Sequence, residues 1–132
     1  WRQAEIPAAG GFGNARSVAE VQTVMANRGV SKGKRIMSEA GTRRALEAQI
    51  EGTDLVLGLP VKHGMGYGLP GPLIPLPSPN TCFWGGWGGS LVIIDQDKRA
   101  CFAYVMNKMG DGTTGDMRAF QLIMPMYQAL SA

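Results

Sequence analysis

The chain has 132 residues, 45% of them hydrophobic and 17% charged, enough for one domain with a real core, since chains near 150 residues bury roughly 68–70% of their unfolded surface. Thirteen Lys and Arg against ten Asp and Glu leave a formal charge of +3. The charges are scattered along the chain, which excludes a nucleic-acid or anionic-membrane surface, and their low density argues against intrinsic disorder.

Glycine is the unusual component: 19 Gly and 8 Pro make up about a fifth of the residues, well above average usage, so loops carry much of the chain. No apolar run approaches the roughly 18 residues of a membrane span, and no charged start leads into an apolar stretch as in a secretory signal. The expectation is a soluble chain whose first residue, Trp1, is not a translation start.

In chain order, Gly10 to Gly13 form a Gly-rich turn into Asn14, a good N-cap. Val18, Val21 and Met25 then recur at helical spacing, predicting a helix over Ala15 to Asn27. Gly29 and Gly33 flank a basic turn from Val30 to Lys34. Ser38 caps a second predicted helix, Glu39 to Gln49, which Gly52 closes.

Between Thr53 and Asn80 the pattern is irregular. Lys62 to Leu69 alternates as one strand, with glycine at 64, 66 and 68 leaving one face bare for close approach by a backbone or a helix. Prolines at 70, 72, 75, 77 and 79 make the next stretch an extended surface connection. Trp87 to Asp95 and Arg99 to Asn107 are β-rich runs around a turn at Asp95 to Lys98, predicting an antiparallel hairpin. Met117 to Leu130 reads as a terminal helix with Phe120, Ile123, Met124, Tyr127 and Leu130 along one side and a kink at Pro125. No internal repeat is present. The order predicts an α+β fold with helices packed on an antiparallel sheet.

Cys82 and Cys101 are not at metal-motif spacing and read as free thiols, which leans towards a cytoplasmic location. His63 is the one histidine and lacks the partners of a zinc site or a Ser-His-Asp triad, so it reads as a loop or strand-edge residue. No metal or cofactor is expected.

The informative stretch is Phe83-Trp84-Gly85-Gly86-Trp87-Gly88-Gly89-Ser90, where two tryptophans, a phenylalanine and four glycines lead into the strand residues Leu91 to Ile94. Glycine there lets a ligand lie against bare backbone. An N–H aimed at a developing oxyanion is worth about 2.7–4 kcal/mol of transition-state stabilisation. A glycine-kinked strand whose tryptophans fill a core is the other reading of the same residues.

This segment, with Asp95 and the run Cys101 to Gly110, resembles the C-terminal part of serine β-lactamase-like hydrolases. The resemblance is above all to family VIII carboxylesterases and related β-lactamase-domain proteins, where Phe-Gly-His-Gly-Gly-Ala-Gly-Gly-Ser precedes a strand, a turn and Tyr-Val-Met-Asn. Here the counterpart of the last motif is Tyr104-Val105-Met106-Asn107. The opening stretch Glu5 to Ser17 also resembles the Gly-rich lead-in to a helix flanking the active site in such proteins.

The resemblance implies the C-terminal part of the β-lactamase/transpeptidase-like fold. Residues 1–132 would be the C-terminal portion of one such domain. Trp84-Gly85-Gly86 would stand at the third motif, Lys-Thr-Gly in β-lactamases and His- or Trp-x-Gly in the esterases. Trp84, Gly85, Gly86 and Gly88 would contact substrate, with Trp84 and Trp87 lining the acyl or alcohol pocket, and the backbone N–H of Trp87 would be one oxyanion donor. Trp84 replaces a cation, which weakens carboxylate recognition and hence β-lactam hydrolysis.

The family's nucleophile sits in Ser-x-x-Lys at a helix start, helped by a tyrosine. Ser31-Lys32-Gly33-Lys34 satisfies the spacing but lies in a hydrophilic turn with no apolar helix to desolvate its lysine. No Tyr-x-Asn exists, because Asn107 falls one position too far from Tyr104. The resemblance therefore implies a partner: an N-terminal segment or second chain carrying Ser-x-x-Lys and the catalytic tyrosine, acting with this chain on a small-molecule ester, with no nucleic acid and no membrane. Alone, the chain would be inactive and would leave apolar patches and unpaired strand edges exposed. The alternatives are a non-catalytic truncated interaction module and a weak β-lactam-hydrolysing or β-lactam-binding protein.

Overall fold

A computed structural model describes residues 3–8 and 10–131. Trp1, and Ala9 within the opening stretch, lie outside the described residues. The centre is a three-stranded antiparallel sheet in the order β5-β6-β7, formed by Thr81–Gly85, Leu91–Asp95 and Ala100–Tyr104. In register, Cys82, Ile94 and Cys101 form one row and Trp84, Val92 and Ala103 another. Because side chains alternate along a strand, these six share one face, on which helix α1 (Ala15–Ala26) buries Met25 and Ala26 against Cys82, Val92 and Ile94. Leu91, Ile93, Phe83, Phe102 and Tyr104 point to the opposite face, where helix α3 (Met117–Ala129) packs Ala119, Ile123 and Tyr127. The α+β expectation holds, with one helix on each side of the sheet.

The helix starts follow the sequence. Asn14 Oδ1 accepts from Ser17 N at 2.9 Å and Ser17 Oγ returns the favour to Asn14 N at 2.9 Å, a reciprocal capping box. Asp116 caps α3 through Arg118 N and Ala119 N. That helix continues through Pro125.

Helix α2 is shorter than expected, Glu39–Arg44. The residues after it are taken by tertiary pairing: Met65 N donates to the Ala45 carbonyl at 3.2 Å and Gln49 N to the His63 carbonyl at 2.8 Å. The basic turn is itself a minimal hairpin, β1 (Val30–Ser31) with β2 (Lys34–Arg35), tightened by positive φ at Lys32 and Gly33.

Two strand boundaries differ from the sequence reading. The run Lys62 to Leu69 is not one strand. Its first part belongs to β4 (Pro60–His63), which pairs with β3 (Ile50–Thr53), while Gly68 makes two isolated antiparallel bridges, one to His63 and one to Phe83. A Cβ at Gly64 would strike the Ala45 carbonyl and one at Gly68 would lie 2.7 Å from the Phe83 ring, so two of the alternating glycines do serve close approach. The run Trp87 to Asp95 is likewise not one strand: Thr81–Gly85 and Leu91–Asp95 are separate, and Trp87 lies in the turn between them.

The 70–79 stretch contains no helix or strand, as its prolines dictate. Among the described residues the outer edge of β7 has no partner strand, and Met117, Leu122 and Met124 of α3 are exposed. No helix among them is long and apolar enough to cross a membrane.

Candidate active site: a pinned glycine turn beside an apolar cleft

The β5–β6 connection is built from Gly86-Trp87-Gly88-Gly89-Ser90. Gly86 N donates to Ser90 O at 2.8 Å and Gly89 N to Gly86 O at 3.2 Å, which closes the turn; Gly88 and Gly89 adopt φ of +84° and +118°. Both are conformations that other residues adopt only with strain.

The segment before α3 then clasps the turn. Gly88 N donates to Gly112 O at 2.8 Å, Gly110 N to Gly88 O at 2.8 Å, and Gly115 N to Gly86 O at 3.2 Å. Side chains at Gly85 and Gly89 would run into the Thr114 backbone and the Asp116 carboxylate, so these glycines are required by the approach of that segment.

Arg118 completes the clasp. Its guanidinium donates to the Lys108 carbonyl at 2.9 Å and to the Gly88 carbonyl at 3.3 Å, and it pairs with the Asp116 carboxylate. The hydrogen bond from Arg118 holds the Asp116 carboxyl below the ordinary carboxylate range, and the same bond raises Arg118. Asp116 thus serves at once as helix cap and as anion for the arginine that fastens the turn.

Gly86 and Gly88 are pinned on either side of Trp87, whose own N–H makes no hydrogen bond among the described residues. The Trp87 side chain is 73% exposed. This is a donor in a turn rather than in the strand that the run Trp87 to Asp95 predicts, a correction to the sequence expectation, and the hydrogen bonds of its neighbours hold the turn.

Trp84 lies on the α1 face of the sheet, 47% exposed. The His63 ring meets it edge-on, with centroids 5.5 Å apart and planes at 65°, so the histidine expected in a loop or at a strand edge ends β4 and packs against a tryptophan. Trp84 and Gly85 border an apolar cleft of about 190 Å³ between the β3–β4 hairpin, the 69–74 loop and β5.

The sequence-predicted residues Trp84, Gly85, Gly86, Trp87 and Gly88 are therefore consecutive parts of one strand end and its turn. The clasp by residues 110–118 and the cleft wall from β4 were not anticipated. Two signals were present for the first: the glycines at 110, 112 and 115, and Asp116 two residues before Arg118 at a helix start.

Among the described residues no serine hydroxyl is hydrogen-bonded to a lysine, histidine or tyrosine side chain. Ser31 sits in the β1–β2 hairpin, and Lys32 next to it is engaged by Glu20 at 2.8 Å. The surface-turn reading of Ser31-Lys32-Gly33-Lys34 is consistent with that placement. Cys82 and Cys101 are free, and burial pushes their thiols up to about 12 and about 11. No group of three or more potential metal ligands occurs among the described residues.

Compared with known families, the chain matches the Beta-lactamase family model over residues 1–123. The chain belongs to the Beta-lactamase family. A solved family VIII carboxylesterase is similar at 32% identity and a TM-score of 0.81, over 88% of this chain and 31% of that one. A penicillin-binding protein homologue from Caulobacter crescentus is similar at 33% identity and a TM-score of 0.89, over 98% of this chain and 35% of its own. The chain spans about a third of the length of these two relatives. A search among curated proteins finds no match. The α+β arrangement is that of the β-lactamase/transpeptidase-like fold.

Proposed function

We propose that this chain is the oxyanion-turn and pocket-wall portion of a serine ester hydrolase, completed by an N-terminal segment or second chain that brings Ser-x-x-Lys and the catalytic tyrosine. The observation carrying this reading is the unpaired Trp87 N–H in a turn whose flanking glycines are both fixed by backbone hydrogen bonds. A donor that is already oriented costs no reorganisation when charge develops on a carbonyl oxygen.

In the proposed reaction the serine Oγ supplied by the other portion bonds to the ester carbonyl carbon, and the Trp87 N–H receives the oxyanion. The carbon–alkoxy bond then breaks, the serine proton passes to the departing alcohol, and water cleaves the acyl-serine in a second round. The similarity to a family VIII carboxylesterase and the apolar cleft beside Trp84 favour a short-chain ester as substrate. A tryptophan where β-lactamases carry a cation disfavours a drug carboxylate.

Native and denaturing mass measurement of the purified protein, with turnover of a chromogenic short-chain ester and labelling by a serine-reactive phosphonate, tests this. Expected are ester turnover and phosphonate attached to a Ser-x-x-Lys serine outside residues 1–132. Labelling of Ser31, or turnover by a lone chain of this length, would refute the division of roles. A lone chain with neither label nor turnover would replace the hydrolase by the interaction module.

A further inference from the structure

We infer that a second, polar pocket binds a phosphate monoester through Arg28, Lys32, Arg35 and Arg99, a site that stands independently of the hydrolase reading. Its volume is about 360 Å³, within the roughly 300–1,000 Å³ of small-ligand sites. The wall is assembled from the end of α1, the β1–β2 hairpin, the start of α2 and the β6–β7 turn, so charges scattered along the sequence meet here. The glycine turn joins β5 to β6, whereas Arg99 lies in the turn joining β6 to β7, which puts the two sites at opposite ends of β6.

Three observations separate it from an ordinary solvated face. First, Arg28, Lys32 and Arg99, with φ of 53°, 48° and 51°, are the only non-glycine residues with left-handed backbone among the described residues, and all three line this pocket. Each stands where local geometry favours Gly or Asn: Arg28 just past the C-cap of α1, Lys32 first in the two-residue β1–β2 turn, and Arg99 last in the β6–β7 turn. A cation is thus kept at three positions against backbone preference, a cost that structures retain at binding sites. Second, donors are left free. Among the described residues the Arg99 side chain has no hydrogen bond or ion pair, and Arg35 uses only Nη1, on the Arg28 and Met37 carbonyls at 3.3 and 3.1 Å. Glu39 is the one carboxylate on the wall, and Arg43 from outside the pocket already donates to it at 2.6 Å. Third, the guanidinium groups come from three separate segments. A planar carboxylate is satisfied by one guanidinium fork, whereas a phosphate monoester offers three oxygens and about two negative charges to donors from several sides. The lining residues include no aromatic ring on which a base could stack and only Val30 as an apolar side chain, so the rest of the ligand is polar, of the sugar or glycerol kind.

Glycerol 3-phosphate titrated by calorimetry into the purified protein, with any second chain it carries, tests the site, and the Nε–H signals of ¹⁵N-arginine locate the contact. Saturable binding with shifts at Arg35 and Arg99 is expected, and sodium chloride at equal ionic strength should give neither. Arg99→Gly relieves the left-handed backbone while removing the free guanidinium, so Tm should hold or rise while affinity falls about tenfold, the worth of one hydrogen bond to a charged group. Lys32→Asn, which also suits its turn, should weaken binding without lowering Tm. Glu39→Gln removes the competing carboxylate and should tighten binding by about threefold.

Phosphatidylcholine vesicles containing phosphatidic acid distinguish the sources of the phosphate. Co-sedimentation reversed by glycerol 3-phosphate identifies a lipid headgroup, whereas calorimetric binding without co-sedimentation identifies a soluble phosphate ester. The site is overturned by the absence of saturable binding, by arginine shifts that sodium chloride reproduces, or by unchanged affinity in folded Arg99→Gly and Lys32→Asn. Tighter binding of succinate than of glycerol 3-phosphate would overturn the choice of phosphate.

Discussion

Removing the hydroxyl of Tyr127 tests how α3 is fixed to the sheet. Asp95 is 1% exposed and Tyr127 4% exposed. The Asp95 carboxylate accepts on one oxygen from Asp97 N and Lys98 N, both at 2.8 Å, and on the other from Tyr127 Oη at 2.9 Å. In Tyr127→Phe the first oxygen keeps its turn contacts while the second loses its protein donor inside the core. A hydrogen bond to a charged group is worth about 1.5–3 kcal/mol, and leaving a buried acceptor unpaired forfeits its solvation as well.

The expected loss is therefore about 2 kcal/mol, and at about 4 °C per kcal/mol for a chain of this size Tm falls by about 8 °C. Thr81, across the register from Asp95, lies with its Oγ1 3.5 Å from Tyr127 Oη and is the available substitute donor. Thr81→Val combined with Tyr127→Phe should accordingly cost more than Tyr127→Phe alone. Urea unfolding followed by circular dichroism measures both. A Tyr127→Phe loss below about 0.5 kcal/mol, with no further loss in the double variant, would refute the account of a buried carboxylate dependent on this hydroxyl.

Stability should fall on the alkaline side, because burial pushes Cys101 up to about 11 and both Cys82 and Tyr127 up to about 12, from ordinary values of 9.0 for thiols and 10.0 for tyrosine. The unfolded chain binds fewer protons than the folded one in that window, so this contribution is intact below pH 9 and is lost as pH rises through 11 to 12; a urea midpoint unchanged to pH 11 would contradict it. Gly89→Ala should destabilise by about 1–3 kcal/mol from its left-handed backbone alone, and unfolding at the wild-type midpoint would show the strain argument to be wrong. Arg118→Ala should speed amide exchange at Gly88 and Gly110 by about fivefold, the factor of one net hydrogen bond. Exchange altered equally along α1 would instead mean general loosening.

The parts of the fold that local chemistry dictates were legible in the sequence. Asn14 and Ser38 are caps whose side chains bond the helix N–H groups that follow them, and the turn at Asp95 to Lys98 closes on the Asp95 carboxylate. Contacts distant in sequence decided the rest. Residues 45–49 look helical until Met65 and His63 claim their backbone groups, and Ile50 to Thr53 shows no alternating apolar pattern because all four residues are exposed. The stretch Phe83 to Ser90 announced a glycine-rich site but not its shape. A turn with two positive-φ glycines and a strand kinked by glycine have the same composition, and the segment that selects the turn lies more than twenty residues further on.

An oxyanion donor is effective only when its direction is set before the charge arrives, and in the proposed role of the Trp87 N–H the supports lie outside the tryptophan itself. The turn is clasped by the residues leading into α3, and the first turn of α3 supplies both Asp116 and Arg118. At its other end the same helix is fixed by Tyr127 to Asp95 at the far end of β6. Sheet, turn and helix thus form one body anchored at both ends of β6, with the apolar contacts of Ile93, Ala119 and Ile123 between the anchors. Since those contacts are non-directional, the two polar anchors are what fix the helix in register along the sheet. A change at Tyr127 should therefore be felt first as lost stability, whereas one at Arg118 should be felt first as disorder in the turn.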